Sequence, residues 1–501
     1  MITTTNPRTA VESDTALGPT ATDDVASIAS LASTAFATIQ KSSRLWRAGL
    51  LDALADALEA NRAELVATAE AETALGLPRL TGELTRSVFQ FRLFGEALRD
   101  GGYLDAAIDH AGPTPMGPGP DVRRMLIPIG PVAVFGSSNF PFAFSVAGGD
   151  TASALAAGCP VVLKAHGSHP LVSLASFTVL NNAAVAYGAP AGTLGIVYGT
   201  AAGAALVADP NIKAVGFTGS LSGGQALMDI VSGREEPIPF YGELSSINPL
   251  IITPAAAAAR TAAIAEGLFT SFTASSGQLC TKPGIAFVPR TNAGRVLVEG
   301  IIDRVNAATS NPLLNARIFE SFGEIESRIE SVGRAAVSAV GTVSGDGFQV
   351  APRLLTIDAS DLTAATSEEA FGPLLVVAWY DDLLDVDRAF GVIPNSLTAT
   401  IHSEPGDDEL VASLVETVSP RAGRLVFNGY PTGVRVSWAQ HHGGPWPATN
   451  SLHTSVGVTA VRRFLRPFVW QDAPETLLPT ELRDADTSVP RRVDGVLTLA
   501  G

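Results

Sequence analysis

Residues 127–135 read IPIGPVAVF, 159–164 read CPVVLK, 194–198 read LGIVY and 212–217 read IKAVGF. Each run is apolar, short, and lacks the alternation of a strand with one wet face. Such runs belong to strands buried on both sides. Between them lie Ala-rich stretches of helix length, AGGDTASALAAG and ASFTVLNNAAVAYG. Buried strands alternating with helices build a parallel sheet with right-handed crossovers. This part of the chain is therefore expected to form a Rossmann-like α/β sheet.

A second alternation begins after Glu243. PLII (249–252), IAFV (285–288) and LLVVA (374–378) read as strands, and AAAAARTAAIAEGLFTSF (255–272) reads as a helix. Upstream, the periodicity is helical from Val25 to Ala74, with Leu50, Leu51, Leu54, Leu58 and Leu65 on one face. Residues 1–22 read as a loose arm, and HAGPTPMGPGPD (110–121) reads as a Pro/Gly loop.

A chain of 501 residues is too long for one core, so two or more subdomains are expected. The net charge of −16, with no Lys/Arg cluster longer than a pair, lacks the basic footprint of a nucleic-acid binder. An acidic surface also repels anionic lipid. Two cysteines supply neither a disulfide framework nor a zinc quartet, and no metal is expected. The polar start shows no signal peptide, and no apolar run reaches the ~18 residues of a membrane span. A cytoplasmic location follows. His441-His442 reads as part of a loop.

Two short stretches carry chemistry. SSGQLCTKPG (275–284) sets Cys280 among small, polar and turn-forming neighbours, unlike Cys159 in its apolar run. A neighbouring Lys282 and a helix N-terminus are expected to lower the thiol pKa. GSLSGG (219–224) links the strand KAVGFT to the helical QALMDIV. It suits either a phosphate on free N–H groups or a plain strand–helix turn. It is neither GxGxxG nor a Walker loop.

IPIGPVAVFGSSNFPFAF, CPVVLKAH, VGFTGS, GELSSINPLI, GQLCTKPG and EEAFGP occur in the order seen in the aldehyde dehydrogenase superfamily, which the chain resembles along nearly its whole length. NGYPTGV…HHGGPWPATN and TSVGVTAVRRFLRPFVWQ resemble the NADP-type 2,5-dioxopentanoate (α-ketoglutaric semialdehyde) dehydrogenases. The NADP-preferring bacterial fatty aldehyde dehydrogenases are similar too, and medium- or long-chain aldehydes are the alternative substrates. The resemblance implies an aldehyde dehydrogenase fold: an NAD(P)-binding domain over 1–243, a catalytic domain over 244–435, and a 436–501 segment returning to the first domain with a β oligomerisation arm. It implies a homodimer or homotetramer acting on a small aldehyde.

By the same resemblance Cys280 is the nucleophile, and Glu243, with a mildly raised pKa, is the base that activates water on the thioester. Asn139 is the oxyanion-hole amide. Lys164 binds the adenosine ribose, Gly219, Ser220 and Gly224 form the pyrophosphate turn, and Glu369 and Phe371 hold the nicotinamide ribose and ring. Two departures bear on specificity. Gly167 stands where NAD-specific relatives carry glutamate, which, with His166 and His169 nearby, leaves room for NADP as well as NAD. Ser138 replaces the usual Trp before the asparagine. Arg435 is the expected partner of a distal substrate carboxylate.

Overall fold

The computed structural model describes residues 1–501. Three sheets organise it. The first has five parallel strands in the order Phe240–Glu243, Ala214–Thr218, Val132–Phe135, Val161–Lys164, Leu194–Val197. Four of them are the apolar runs of the sequence, and alternation across the pleat explains their composition. Val132 and Val134 face the helices Arg44–Ala60 and Leu77–Asp100, joining Leu51, Leu54 and Phe91. Ala133 and Phe135 face the opposite layer, with Val25, Ala29 and Leu206 from helices Thr22–Ile39 and Thr200–Ala208. The fifth strand, FYGE, carries no apolar run of its own. It forms because Val215–Thr218 pairs with Phe240–Glu243 in register.

The second sheet has seven strands: Ala336–Val340, Arg353–Asp358, Leu374–Tyr380, Ile285–Pro289, Leu250–Ile252, Ser396–His402 and Ala422–Phe427, in that order. All neighbours are parallel except the first pair. The third sheet brings the C-terminus back. Leu465–Gln471 pairs antiparallel with Val122–Pro128, which pairs with Ala106–Asp109, then Arg491–Val493 and Val496–Thr498. Buried Arg463 fixes this return through a 2.6 Å ion pair to Asp150 on the helix Gly149–Ala157.

Several local expectations change. The helical stretch 25–74 is broken into Thr22–Ile39, Arg44–Ala60 and Arg62–Thr73, the second capped by Ser43, whose hydroxyl accepts from Trp46 N. The Pro/Gly loop contains a small hairpin, Gly112–Thr114 with Gly117–Gly119. Helix Pro170–Tyr187 is long and apolar enough to cross a membrane by composition alone. Here Val172, Leu180 and Ala184 join the core beneath it.

Residues 1–22 are not a loose arm. Thr3–Asn6 and Val11–Asp14 form an antiparallel hairpin. Buried Glu72 holds it, accepting from Thr4 Oγ1 at 2.7 Å. The same carboxylate accepts from Leu171 N and Val172 N at 3.0 and 2.7 Å, closing the first turn of the apolar helix. One side chain therefore satisfies three donors from two distant segments. Glu72→Ala is expected to cost about 1–3 kcal/mol in urea unfolding. It should also open the hairpin to limited proteolysis; unchanged protection of residues 1–14 would contradict this role.

Candidate active site

The C-terminal end of the first sheet and the edge at which the parallel strands of the second sheet begin supply the site. Glu243 ends the strand Phe240–Glu243 and is buried. Its Oε1 lies 3.0 Å from His442 Nε2, and its Oε2 accepts from Ser455 Oγ at 2.8 Å. His442 Nε2 also lies 3.7 Å from Cys280 Sγ. The ligand atoms of Glu243, Cys280 and His442 all fall within 4.8 Å of one another. An ionised carboxylate only accepts, so Nε2 carries the imidazole proton.

Cys280 sits in a turn held from three directions. Asn248 Nδ2 donates to the carbonyls of Cys280 and Lys282, at 2.8 and 3.0 Å. Gln278 Oε1 accepts from Leu314 N at 2.9 Å. Gly277 adopts φ +69°, and a Cβ there would come within 2.2 Å of the Gly372 carbonyl. Only glycine fits, and the nucleophile turn rests directly on the loop that carries Glu369 and Phe371.

Asn139 Nδ2 donates to Gln278 O at 2.9 Å, which places the amide beside the Cys280 turn. The Cys280 backbone N–H donates to no protein group. The loop bearing Asn139 is built by one face of helix Leu77–Asp100. Arg79 Nη2 donates to Asn139 O, and Glu83 Oε1 accepts from Phe142 N and Ala143 N at 2.8 and 2.9 Å.

The electrostatics depart from expectation in two places. Burial, then the Glu243 carboxylate, push the Cys280 thiol well above its ordinary pKa, while Arg86 pulls it back. Lys282 does not lower it. Its ammonium is buried, donates to Ala370 O and Leu374 O at 3.0 Å each, and falls to about 8 through burial. No helix begins at Cys280 either. Adjacency in the chain misled, because a turn sends successive side chains in different directions. Glu243 is lowered rather than raised. Burial pushes its carboxyl up, but the His442 field and hydrogen bond, with Ser455, more than offset that.

The remaining candidates lie along the first sheet and its neighbour. Lys164 ends the strand Val161–Lys164, half-buried, with its pKa lowered by burial alone. Ser220 caps helix Leu221–Ser232, its hydroxyl accepting from Gly223 N at 3.2 Å. The N–H groups of Leu221 and Ser222 have no partner within the helix. Gly219 N donates to Glu243 O at 3.0 Å. At Gly224 a Cβ would strike Leu244 at 2.3 Å, so the helix packs tightly on the segment after Glu243. Glu369 accepts from Ser245 Oγ and Ser246 N at 2.6 and 3.0 Å, beside half-buried Phe371. An uncompensated ammonium at one strand end and a helix N-terminus two strands along the same sheet edge fit a dinucleotide's ribose and pyrophosphate.

Three residues stand elsewhere than expected. His442, read as loop, is buried between Glu243 and Cys280. A histidine doublet in a Gly/Pro-rich coil has no periodicity to betray it, and only the fold of 442–455 brings it inward. His169 is fully buried, with Nε2 2.8 Å from Ser137 O, so it cannot meet a cofactor phosphate. Arg435 is exposed, whereas Arg86 and Arg424 lie within Coulombic reach of Cys280.

Because Glu243 holds the thiol pKa up, Glu243→Gln should lower it. Iodoacetamide labelling of Cys280 near pH 8 should then run at least about threefold faster, with the pH profile moved downward. Slower labelling would show instead that the carboxylate's service as proton acceptor outweighs its repulsion of the thiolate.

A model of the aldehyde dehydrogenase family matches residues 2–445. Alpha-ketoglutaric semialdehyde dehydrogenase 2 of Azospirillum brasilense is 41% identical over 489 residues, 95% of this chain and 92% of that protein. The alpha-ketoglutaric semialdehyde dehydrogenase of Acinetobacter baylyi is 40% identical over 484 residues, with 95% and 92% covered. Among solved structures, 1-pyrroline-5-carboxylate dehydrogenase from Thermus with bound NAD superposes with a TM-score of 0.80 at 22% identity, covering 94% of this chain and 89% of that one. Proline utilization A of Bradyrhizobium japonicum gives 0.79 at 24% identity over 91% of this chain, which spans only 45% of that larger protein. These structures share the fold. A family match over most of the sequence, and two relatives aligned nearly end to end, place the chain in the aldehyde dehydrogenase family.

Proposed function

We propose that the protein oxidises 2,5-dioxopentanoate to 2-oxoglutarate, with NADP preferred over NAD. The observation that carries this reading is the convergence of Cys280, His442, Glu243 and Asn139 on one small volume, in a chain about two-fifths identical to two enzymes named for this semialdehyde. Those names favour the semialdehyde over a fatty aldehyde. The five-stranded sheet serves as the cofactor domain and the seven-stranded sheet as the catalytic domain.

Cys280 Sγ attacks the aldehyde carbon. The oxygen that becomes negative meets the free Cys280 N–H and the second hydrogen of the Asn139 amide, donors that contribute on the order of 3 kcal/mol each. Glu243, close enough to accept the thiol proton, is the base for this step. Lys164, Ser220 and Gly224, with Glu369 and Phe371, would hold NAD(P), which would supply the acceptor for the hydride lost as the thioester forms on Cys280. Glu243, once it has passed the thiol proton to solvent, takes a proton from water as that water attacks the thioester and returns it to the departing sulfur. His442, donating to the carboxylate, keeps it oriented. The carboxylic acid leaves and the thiol is restored. No metal takes part in this scheme.

Gly167 supports NADP, since open space lies where a glutamate would repel a 2′-phosphate. His166 adds no charge there, because burial pulls its pKa well down. Exposed Arg317 does, standing within Coulombic reach of His166, on a helix whose capping Asn315 bonds Ser168 Oγ at 2.7 Å. The free thiols of Cys159 and Cys280 suit a reducing compartment, and we take the enzyme to be cytoplasmic. Exposed Val469, Val496 and Leu497 on the third sheet support assembly into a homodimer or homotetramer through that sheet.

With 2,5-dioxopentanoate and NADP, Cys280→Ala should lose NADPH formation by at least about 10³-fold, and Asn139→Ala should lower kcat by about 10²-fold. Near wild-type turnover by Cys280→Ala would end this reading. Arg317→Ser should raise the KM for NADP by about tenfold, the worth of one charge-assisted contact, and leave that for NAD in place. Equal effects on both dinucleotides would remove Arg317 from the phosphate.

A further inference from the structure

We propose that Arg86 binds the distal carboxylate of the aldehyde and so sets the preference for carboxylate-bearing substrates. This rests on the reading that Cys280 attacks the aldehyde end of a short oxo-acid.

Helix Leu77–Asp100 turns Arg79, Glu83, Arg86 and Gln90 toward the loop that carries Asn139, at three- and four-residue steps. Three of the four are committed to that loop. Arg79 donates to Asn139 O, Glu83 takes two backbone N–H groups, and Gln90 Nε2 donates to Ala143 O at 3.4 Å. Arg86 is not. Its Nε and Nη2 are both buried without a protein partner, and no carboxylate lies within ion-pair distance. A buried donor left unpaired is costly, and a charged one more so.

The position of this guanidinium says what it waits for. It lies 5.2 Å over the Phe144 ring, whose centroid is 6.3 Å from that of His442. His442 in turn touches Cys280. Arg86 is within Coulombic reach of both Cys280 and Glu243. Nε and Nη2 are the two donors on one edge of the guanidinium, and their parallel N–H bonds match the two oxygens of a carboxylate. Stacking on Phe144 holds the plane of that fork in one orientation.

Other cations near the thiol lack such a fork. Arg424 Nη2 donates to Pro431 O at 2.8 Å and its Nη1 to Gly433 O at 3.4 Å, leaving Nε alone. It holds the 431–433 turn in place. Arg79 is committed to Asn139, and Lys282 to Ala370 and Leu374. Arg435 is exposed.

The test compares wild type, Arg86→Gln and Arg86→Lys on 2,5-dioxopentanoate and on pentanal, the neutral aldehyde of equal chain length. Binding of glutarate is followed by calorimetry, a readout independent of turnover. Loss of a charge-assisted pair should raise the KM of Arg86→Gln for the oxo-acid by at least about 30-fold and weaken glutarate to a similar degree. Pentanal oxidation, which loses only the support Arg86 lends the thiolate, should fall far less, so the preference for the oxo-acid over pentanal drops by at least about tenfold. An unchanged far-UV circular dichroism spectrum shows the variant folded. Arg86→Lys, which keeps the charge and loses the fork, should fall between. A parallel loss on both aldehydes would make Arg86 a support of the cleft and overturn the proposal, as would unchanged glutarate binding. A wild type that oxidises pentanal as well as the oxo-acid would sink the proposed substrate and the anchor together. Selectivity in wild type that survives Arg86→Gln would sink the anchor alone.

Discussion

The site depends on one buried contact, the 3.0 Å pair between Glu243 and His442. It joins residues 199 positions apart in the chain, one at the end of a parallel strand and one in a coil with little regular structure. A carboxylate enclosed this fully would be driven toward its neutral form. The imidazole N–H and the Ser455 hydroxyl prevent that. What they keep ionised is the group that accepts a proton from water in the proposed mechanism. The same carboxylate keeps the resting thiol protonated. A nucleophile and a base packed within 4.8 Å cannot both be anionic without large cost, and here the carboxylate takes the charge.

This arrangement requires the first sheet to end where the strands of the second begin. Glu243 closes the first sheet, and Leu250–Ile252 opens the core of the second only a few residues later. Between them Ser245 and Ser246 bind Glu369, while Asn248 binds the carbonyls of the Cys280 turn. The linker therefore ties base, nucleophile and the Glu369 loop through backbone and side-chain hydrogen bonds. Gly277 against Gly372 adds a contact that no larger residue could make. Rigid placement of this kind is what lets fixed donors act on a transient oxyanion without reorganising.

Much of this was legible in the residues. Buried strands announce themselves by unbroken β-branched and aliphatic runs, so four strands of the first sheet stood out. The strand FYGE did not, since its order comes from pairing rather than composition. That Cys280, Glu243 and Asn139 lie close together was legible through the order of their motifs. His442 was not, because its role arises from a coil folding back over the sheet ends. Lys282 and His169 erred the other way. Each lies close in sequence to a site residue and turns its side chain into protein instead. Arg86 was invisible for a related reason. On an amphipathic helix a charged residue reads as solvent-facing, and only the loop packed against that face leaves it buried.

The thiol pKa is set by burial and a few nearby charges. Burial and an adjacent carboxylate both oppose the thiolate, and the charge that works against them is Arg86. A guanidinium that helps carry the thiolate also stacks on Phe144, whose ring neighbours His442. An anionic group arriving on that guanidinium would neutralise it and make the thiolate harder to form, so a carboxylate-bearing substrate must be attacked with its proton drawn to Glu243 rather than released beforehand. In such a cleft the base does its first work on the nucleophile and its second on water. One carboxylate can serve both steps because it can pass the thiol proton to solvent before water attacks the thioester.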